Sequence, residues 1–111
     1  MNTFEVLAEP ARRQILDLIR DDERSVTQLV ESLSMSQPAV SKHLRVLRSS
    51  GFVEARVDGQ RRMYHVRPEP LAELDAWLEP YRRMWADRLD RLGRHLEATQ
   101  ATKASDEVGN P

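Results

Sequence analysis

Ser36-Gln37-Pro38-Ala39-Val40-Ser41-Lys42-His43-Leu44-Arg45-Val46-Leu47 is the stretch that decides how this chain folds. Ser36 is a good helix N-cap, and Pro38 suits the first turn, where its missing N–H would have no partner anyway. At about 100° per residue, Val40, Leu44 and Leu47 fall on one stripe, while Ser41, Lys42, Arg45 and Arg48 gather on roughly the opposite side. Residues 36–50 are therefore predicted to be a helix with an apolar face to hold it and a short-polar and cationic face to offer. Gly51 ends it.

Downstream, residues 52–57 form a strand-like run, Asp58-Gly59 is a hairpin turn signal, and residues 62–66 form a second run. A hairpin directly after a groove-sized helix is a wing, and Arg56, Arg61 and Arg62 lie on it or beside its tip. Upstream, residues 25–33 supply the shorter first helix of a pair, with Ser34-Met35 as the tight turn. Two helices precede these. Residues 3–8 form one, with Phe4 and Leu7 predicted to face inward; Glu9-Pro10 opens the next, with Ile15, Leu16, Leu18 and Ile19 as its apolar side. Asp21-Asp22-Glu23 reads as a solvated acidic run. The predicted fold class is mainly α with a small β-hairpin: a winged helix-turn-helix in the order α-α-α-α-β-β-α, carrying a long C-terminal dimerisation helix.

That last helix, from residue 71 to about 98, has its own pattern. Leu71, Leu74, Leu78, Tyr81, Trp85, Leu89, Leu92 and Leu96 are spaced 3, 4, 3, 4, 4, 3 and 4. The apolar seam is about 26 residues long, roughly 39 Å at 1.5 Å per residue, and Trp77 and Met84 widen it. A winged helix of about 70 residues cannot cover such a length by itself, so the seam predicts a partner. The economical partner is a second copy. The predicted dimer interface is Phe4, Leu7, Leu74, Leu78, Tyr81, Trp85, Leu89, Leu92 and Leu96. Two-fold pairing also sets two recognition helices about 34 Å apart, for two half-sites. Pro80 interrupts the seam. The unbroken spacing across it favours a kink, and two helices with Pro80 opening the second stay open as the alternative.

Bulk properties bound the rest. A chain of 111 residues is one domain, predicted over residues 1–98, with a polar, small-residue-rich tail over 99–111 expected to be disordered. Absence of cysteine excludes disulfides, thiolate metal sites and thiol switching. No apolar run approaches the length of a membrane span, and residues 1–12 lack the layout of a signal peptide, so a cytoplasmic protein is expected, nucleoid-associated when on DNA. The net charge of −1 is unevenly placed. Residues 36–67 hold seven basic side chains against Glu54 and Asp58, a local +5; the remainder holds ten basic and sixteen acidic groups, or −6. Distal acid is tolerated because charges beyond about 8 Å are largely screened at physiological salt.

Residues 9–16 (Glu-Pro-Ala-Arg-Arg-Gln-Ile-Leu), Val26-Thr27-Gln28-Leu29, residues 36–47, Gly51-Phe52-Val53 and the Asp58-Gly59-Gln60-Arg61-Arg62 wing together resemble the ArsR family of bacterial winged-helix regulators. The resemblance runs from about residue 3 to 98. It implies a homodimeric repressor that binds double-stranded operator DNA and leaves it when a signal arrives. Many relatives sense metals through cysteines in the helix before the recognition helix, or through Asp/His sets in the last helix. This sequence has no cysteine, and His95 is the only histidine of its last helix, so it looks more like the non-metal branch. No cofactor is implied, and an inducer, if a small molecule, is unidentified.

Site roles follow from residue chemistry. Ser36, Gln37 and Ser41 stand at the entry of the recognition helix, where short polar side chains reach base edges, and Gln pairs bidentately with adenine. Lys42, Arg45 and Arg48 are assigned to phosphates, and Arg56, Arg61 and Arg62 to backbone or minor-groove contact from the wing. His43 is either a packed flank residue or a DNA contact, and Tyr64 is expected to be structural. Trp77, Tyr81, Met84 and Trp85 read as core, or as the lining of an inducer pocket at the dimer interface. Asp87, Asp90 and His95 make a weak zinc motif, and no metal site is predicted. No nucleophile–base pair or phosphate loop suggests an enzyme. The competing function is a winged-helix protein-interaction module without DNA readout.

Overall fold

The computed structural model describes the backbone of residues 1–108 and the side chains of residues 1–99. Its elements are α1 (Thr3–Ala8), α2 (Pro10–Ile19), α3 (Val26–Ser32), α4 (Gln37–Ser49), β1 (Val53–Asp58), β2 (Arg61–Val66) and α5 (Leu71–Val108). They fall into two compact units, Met1–Ala76 and the remainder of α5 from Trp77.

In the first unit each helix starts where its side chains supply an acceptor. Asn2 Oδ1 takes the Glu5 N–H at 2.8 Å, and Pro10 opens α2 behind the Glu9 cap. Ser25 and Gln28 form a reciprocal capping box at α3, and Ser36 Oγ accepts the Ala39 N–H at 3.3 Å to start α4. The other end of α4 is a Schellman motif. Gly51, at φ +79°, donates to the Arg48 carbonyl at 3.1 Å, and Phe52 donates to Leu47 at 2.9 Å. Phe52 and Leu47 are both fully buried, so the helix stop and the entry to the wing share one hydrophobic contact point of the core.

The core gathers Val6, Ile15, Ile19, Leu29, Val40, Leu44, Leu47, Phe52, Val53 and Tyr64. The α4 stripe is buried as its spacing predicts. α1 differs: Val6 is fully buried, Leu7 only partly, and Phe4 is 40% exposed. Six residues are under two turns, too short for periodicity to fix the inward face. Arg12 donates to the Val6 and Glu5 carbonyls, and Arg13 to those of Leu7 and Ala8, which ties the carbonyl end of α1 to α2.

The hairpin is antiparallel, with Val53 opposite Val66 and Asp58 opposite Arg61, so Gly59-Gln60 is a two-residue turn. Gly59 has φ +64° and Gln60 is not positive, the type II′ pattern that matches strand twist. Arg24 and Tyr64 exchange backbone hydrogen bonds of 3.2 and 2.9 Å, which fastens β2 to the helical body.

α5 is continuous through Pro80, in line with the favoured reading of one helix, and the alternative of two helices parted at that proline does not hold. Glu79 takes Arg82 at 2.7 Å and Arg83 at 3.4 Å, side-chain braces across the turn where Pro80 withholds its N–H. The helix also runs to Val108, beyond the predicted end near residue 98; Ala, Gln, Lys and Glu in that stretch are good helix formers. The last three positions of the expected 99–111 tail, residues 109–111, lie outside the described residues. From Trp77 onward the seam is open: Trp77, Tyr81, Met84, Trp85, Leu89, Leu92 and Leu96 are each about half exposed or more, and Leu78 is half-buried. No described helix is long and apolar enough to cross a membrane.

Candidate nucleic-acid interface

With Val40, Leu44 and Leu47 turned into the core, α4 must present Gln37, Ser41, Lys42, Arg45 and Arg48 away from it. Ser36 is committed to its cap, whereas Gln37 and Lys42 are exposed and Ser41 is half-buried. Ser41, Leu44, Arg45 and Arg48 of α4 and Arg62 and Tyr64 of β2 line one depression of about 250 Å³. Two hydroxyls and three guanidinium groups thus border a cleft between the recognition helix and the wing. Tyr64 serves both as core and as the wall of this cleft, which sequence reasoning missed.

The electrostatics separate the cations into two sets. Among the described residues, Lys42, Arg45, Arg48 and Arg62 make no ion pair. The other predicted wing cations are engaged. Arg61 lies 3.9 Å from Asp58, and Arg56 is bound by Glu23, with Nη2 at 2.8 Å and Nε at 3.2 and 3.3 Å. The hydrogen bonds from Arg56 hold the Glu23 carboxyl below its ordinary range, and the same contact raises the Arg56 guanidinium. Glu23 is therefore a wing anchor rather than part of a solvated run. Nothing local in the sequence signals this, because the partners are 33 positions apart.

His43 is half-buried on the flank of α4, and its Nδ1 is closed off from solvent without a hydrogen-bond partner, as in a packed flank residue. No group of three or more His, Cys, Asp or Glu side chains suited to a metal ion occurs among the described residues. On α5, Tyr81, Met84, Trp85 and Arg88 border an open depression of about 130 Å³, and the Trp77 and Tyr81 rings lie 4.9 Å apart.

A cationic helix face beside an arginine-bearing wing is the layout of winged-helix DNA readers. The family model for the bacterial regulatory proteins of the arsR family matches residues 9–55. The HTH-type transcriptional regulator Rv2034 of Mycobacterium tuberculosis is 36% identical over 95 residues, 86% of this chain and 86% of that protein. The chain belongs to the arsR family. A solved structure from Mycobacterium bovis, the homodimeric winged helix-turn-helix DNA-binding domain of Mb0332, matches this arsR-family chain with TM-score 0.59 and 34% identity, over 73% of this chain and 75% of that one. The probable mercury resistance operon repressor of Streptomyces lividans is 41% identical over 71 residues, 64% of this chain. This chain spans only 57% of that repressor's length. These relatives are transcriptional regulators, and they do not favour an interaction module without DNA readout.

Proposed function

We propose that this arsR-family chain is a homodimeric repressor that binds an inverted-repeat operator through helix 36–50 and wing 53–66. One observation carries the site assignment: among the described residues of the first unit, the basic side chains with neither a carboxylate nor a main-chain carbonyl partner are Lys42, Arg45 and Arg48 of α4 and Arg62 on the wing, whereas Arg12, Arg13 and Arg24 are tied to carbonyls of the body. Phosphate neutralisation needs such charges. Gln37 and Ser41 read base edges, and Lys42, Arg45, Arg48 and Arg62 grip phosphates. Two copies join through the α5 seam with Phe4 and Leu7, and act in the cytoplasm on the nucleoid.

A mobility shift with DNA upstream of its own gene tests the reading. Salt-sensitive binding that Ser41→Glu with Arg45→Glu abolishes, while dimerisation persists, is expected. Binding by no upstream fragment at low salt would overturn it. The lack of cysteine supports a signal other than a thiolate-bound metal ion.

A further inference from the structure

Glu23, in the loop between α2 and α3, reaches both strands of the wing. Its carboxylate receives Arg56 of β1, and its Oε2 lies 3.5 Å from Nδ1 of His65 on β2. The other side of that ring meets a second carboxylate, with Nε2 3.2 Å from Glu54 Oε2 on β1. Glu54 is held in turn by Arg67 at 3.4 Å. The charged groups around His65 are therefore Glu23 from the loop and Glu54 from β1, backed by Arg56 and Arg67. Nδ1 of His65 is closed off from solvent and makes no hydrogen bond of good geometry.

A neutral imidazole carries a single N–H. If that proton goes to Glu54, the Nδ1 lone pair faces the Glu23 carboxylate where water does not reach. If it goes to Glu23, the Nε2 lone pair faces Glu54. Only the doubly protonated ring offers a donor to each carboxylate, through charge-assisted bonds. We propose that Glu23 and His65 form a proton-dependent clamp that fixes the wing to the α2–α3 loop and so positions Arg62 toward DNA. The last step rests on the DNA-binding reading above; the clamp itself does not. Glu23 is a positioning residue. Its neighbour Arg24 and His65's neighbour Tyr64 form the backbone bridge at the same point, so side-chain clamp and backbone bridge reinforce one another.

Hydrogen exchange on the full chain, compared between mildly alkaline and mildly acidic buffer, reads the clamp without DNA. After correction for intrinsic rates, protection of the Arg24 and Tyr64 amides should rise about fivefold as pH falls, a size set by a partly exposed ion pair. Glu23→Gln and His65→Gln should remove the rise, and Glu23→Asp should restore part of it. Operator affinity should follow, tightening at low pH in the parent and in His43→Gln but not in Glu23→Gln. Protection that ignores pH, or a Glu23→Gln protein with the parent's pH response in both readouts, overturns the clamp. Protection that responds while no DNA binds at any pH upholds the clamp and defeats the DNA reading.

Discussion

The division of the cations into free and paired sets predicts how binding responds to salt. From α4 and the wing, each protomer offers Lys42, Arg45, Arg48 and Arg62 without ion-pair partners, four per chain and eight in a dimer. Each phosphate neutralised contributes about −0.9 to the slope of log affinity against log salt, so eight give a slope of about −7. A fourfold rise in salt, from about 50 to about 200 mM, should then weaken binding about 10⁴-fold. Arg62→Gln removes two contacts per dimer and should flatten the slope by about 1.8. Arg56→Gln should leave the slope nearly unchanged, because Glu23 already neutralises that guanidinium; affinity should fall only through looser wing placement. Fluorescence anisotropy on an operator fragment over a salt series measures all three slopes. A parent slope near −2, or equal flattening by Arg56→Gln and Arg62→Gln, would refute the partition.

The remaining predictions concern packing, assembly and acid. Leu47→Ala removes a fully buried side chain at the Schellman contact with Phe52 and should cost about 2–5 kcal/mol in a denaturant melt. Leu89→Glu with Leu92→Glu puts charge on the half-exposed seam and should convert the dimer to monomer in analytical ultracentrifugation, while far-UV circular dichroism is retained. The depressed Glu23 carboxyl contributes its full stabilisation above its ordinary value of 4.5 and loses it as pH falls through the lowered folded value. An acid titration followed by wing amide shifts should therefore show a step below pH 4.5 that Arg56→Gln moves upward.

Much of the fold is legible because its signals are local. Ser36 and Gly51 bound α4, a thirteen-residue helix long enough for Val40, Leu44 and Leu47 to define a face. Asp58-Gly59 places the wing because the turn needs a positive φ that glycine supplies. The misreadings fall where local signals are weak. α1 has too few turns to show a period, so Val6, not Phe4, turned out to be its core residue. Pro80 is not misread, since the unbroken seam spacing favours one helix, but it leaves a break open because the choice rests on the flanking turns, where Glu79 holds two arginines.

The site was legible only in part, because a cation's availability is a tertiary property. Counting charges over residues 36–67 gives +5, yet that sum treats Arg56, Arg61 and Arg67 as equals of Arg45. Folding gives the first three carboxylate partners in Glu23, Asp58, and Glu54 with Glu69, and leaves Lys42, Arg45, Arg48 and Arg62 without any. The acid of this nearly neutral chain therefore has a positive role. It neutralises arginines that brace the wing, while the small set of cations that the proposed function gives to phosphates keeps its charge. With a net charge of −1 the protein has little long-range attraction for DNA, so binding must come from short-range contacts made when helix and wing are both seated. That arrangement weakens association with arbitrary sequence more than with a matched half-site, because a mismatched duplex engages the phosphate-gripping set less completely than one that seats α4 in its groove.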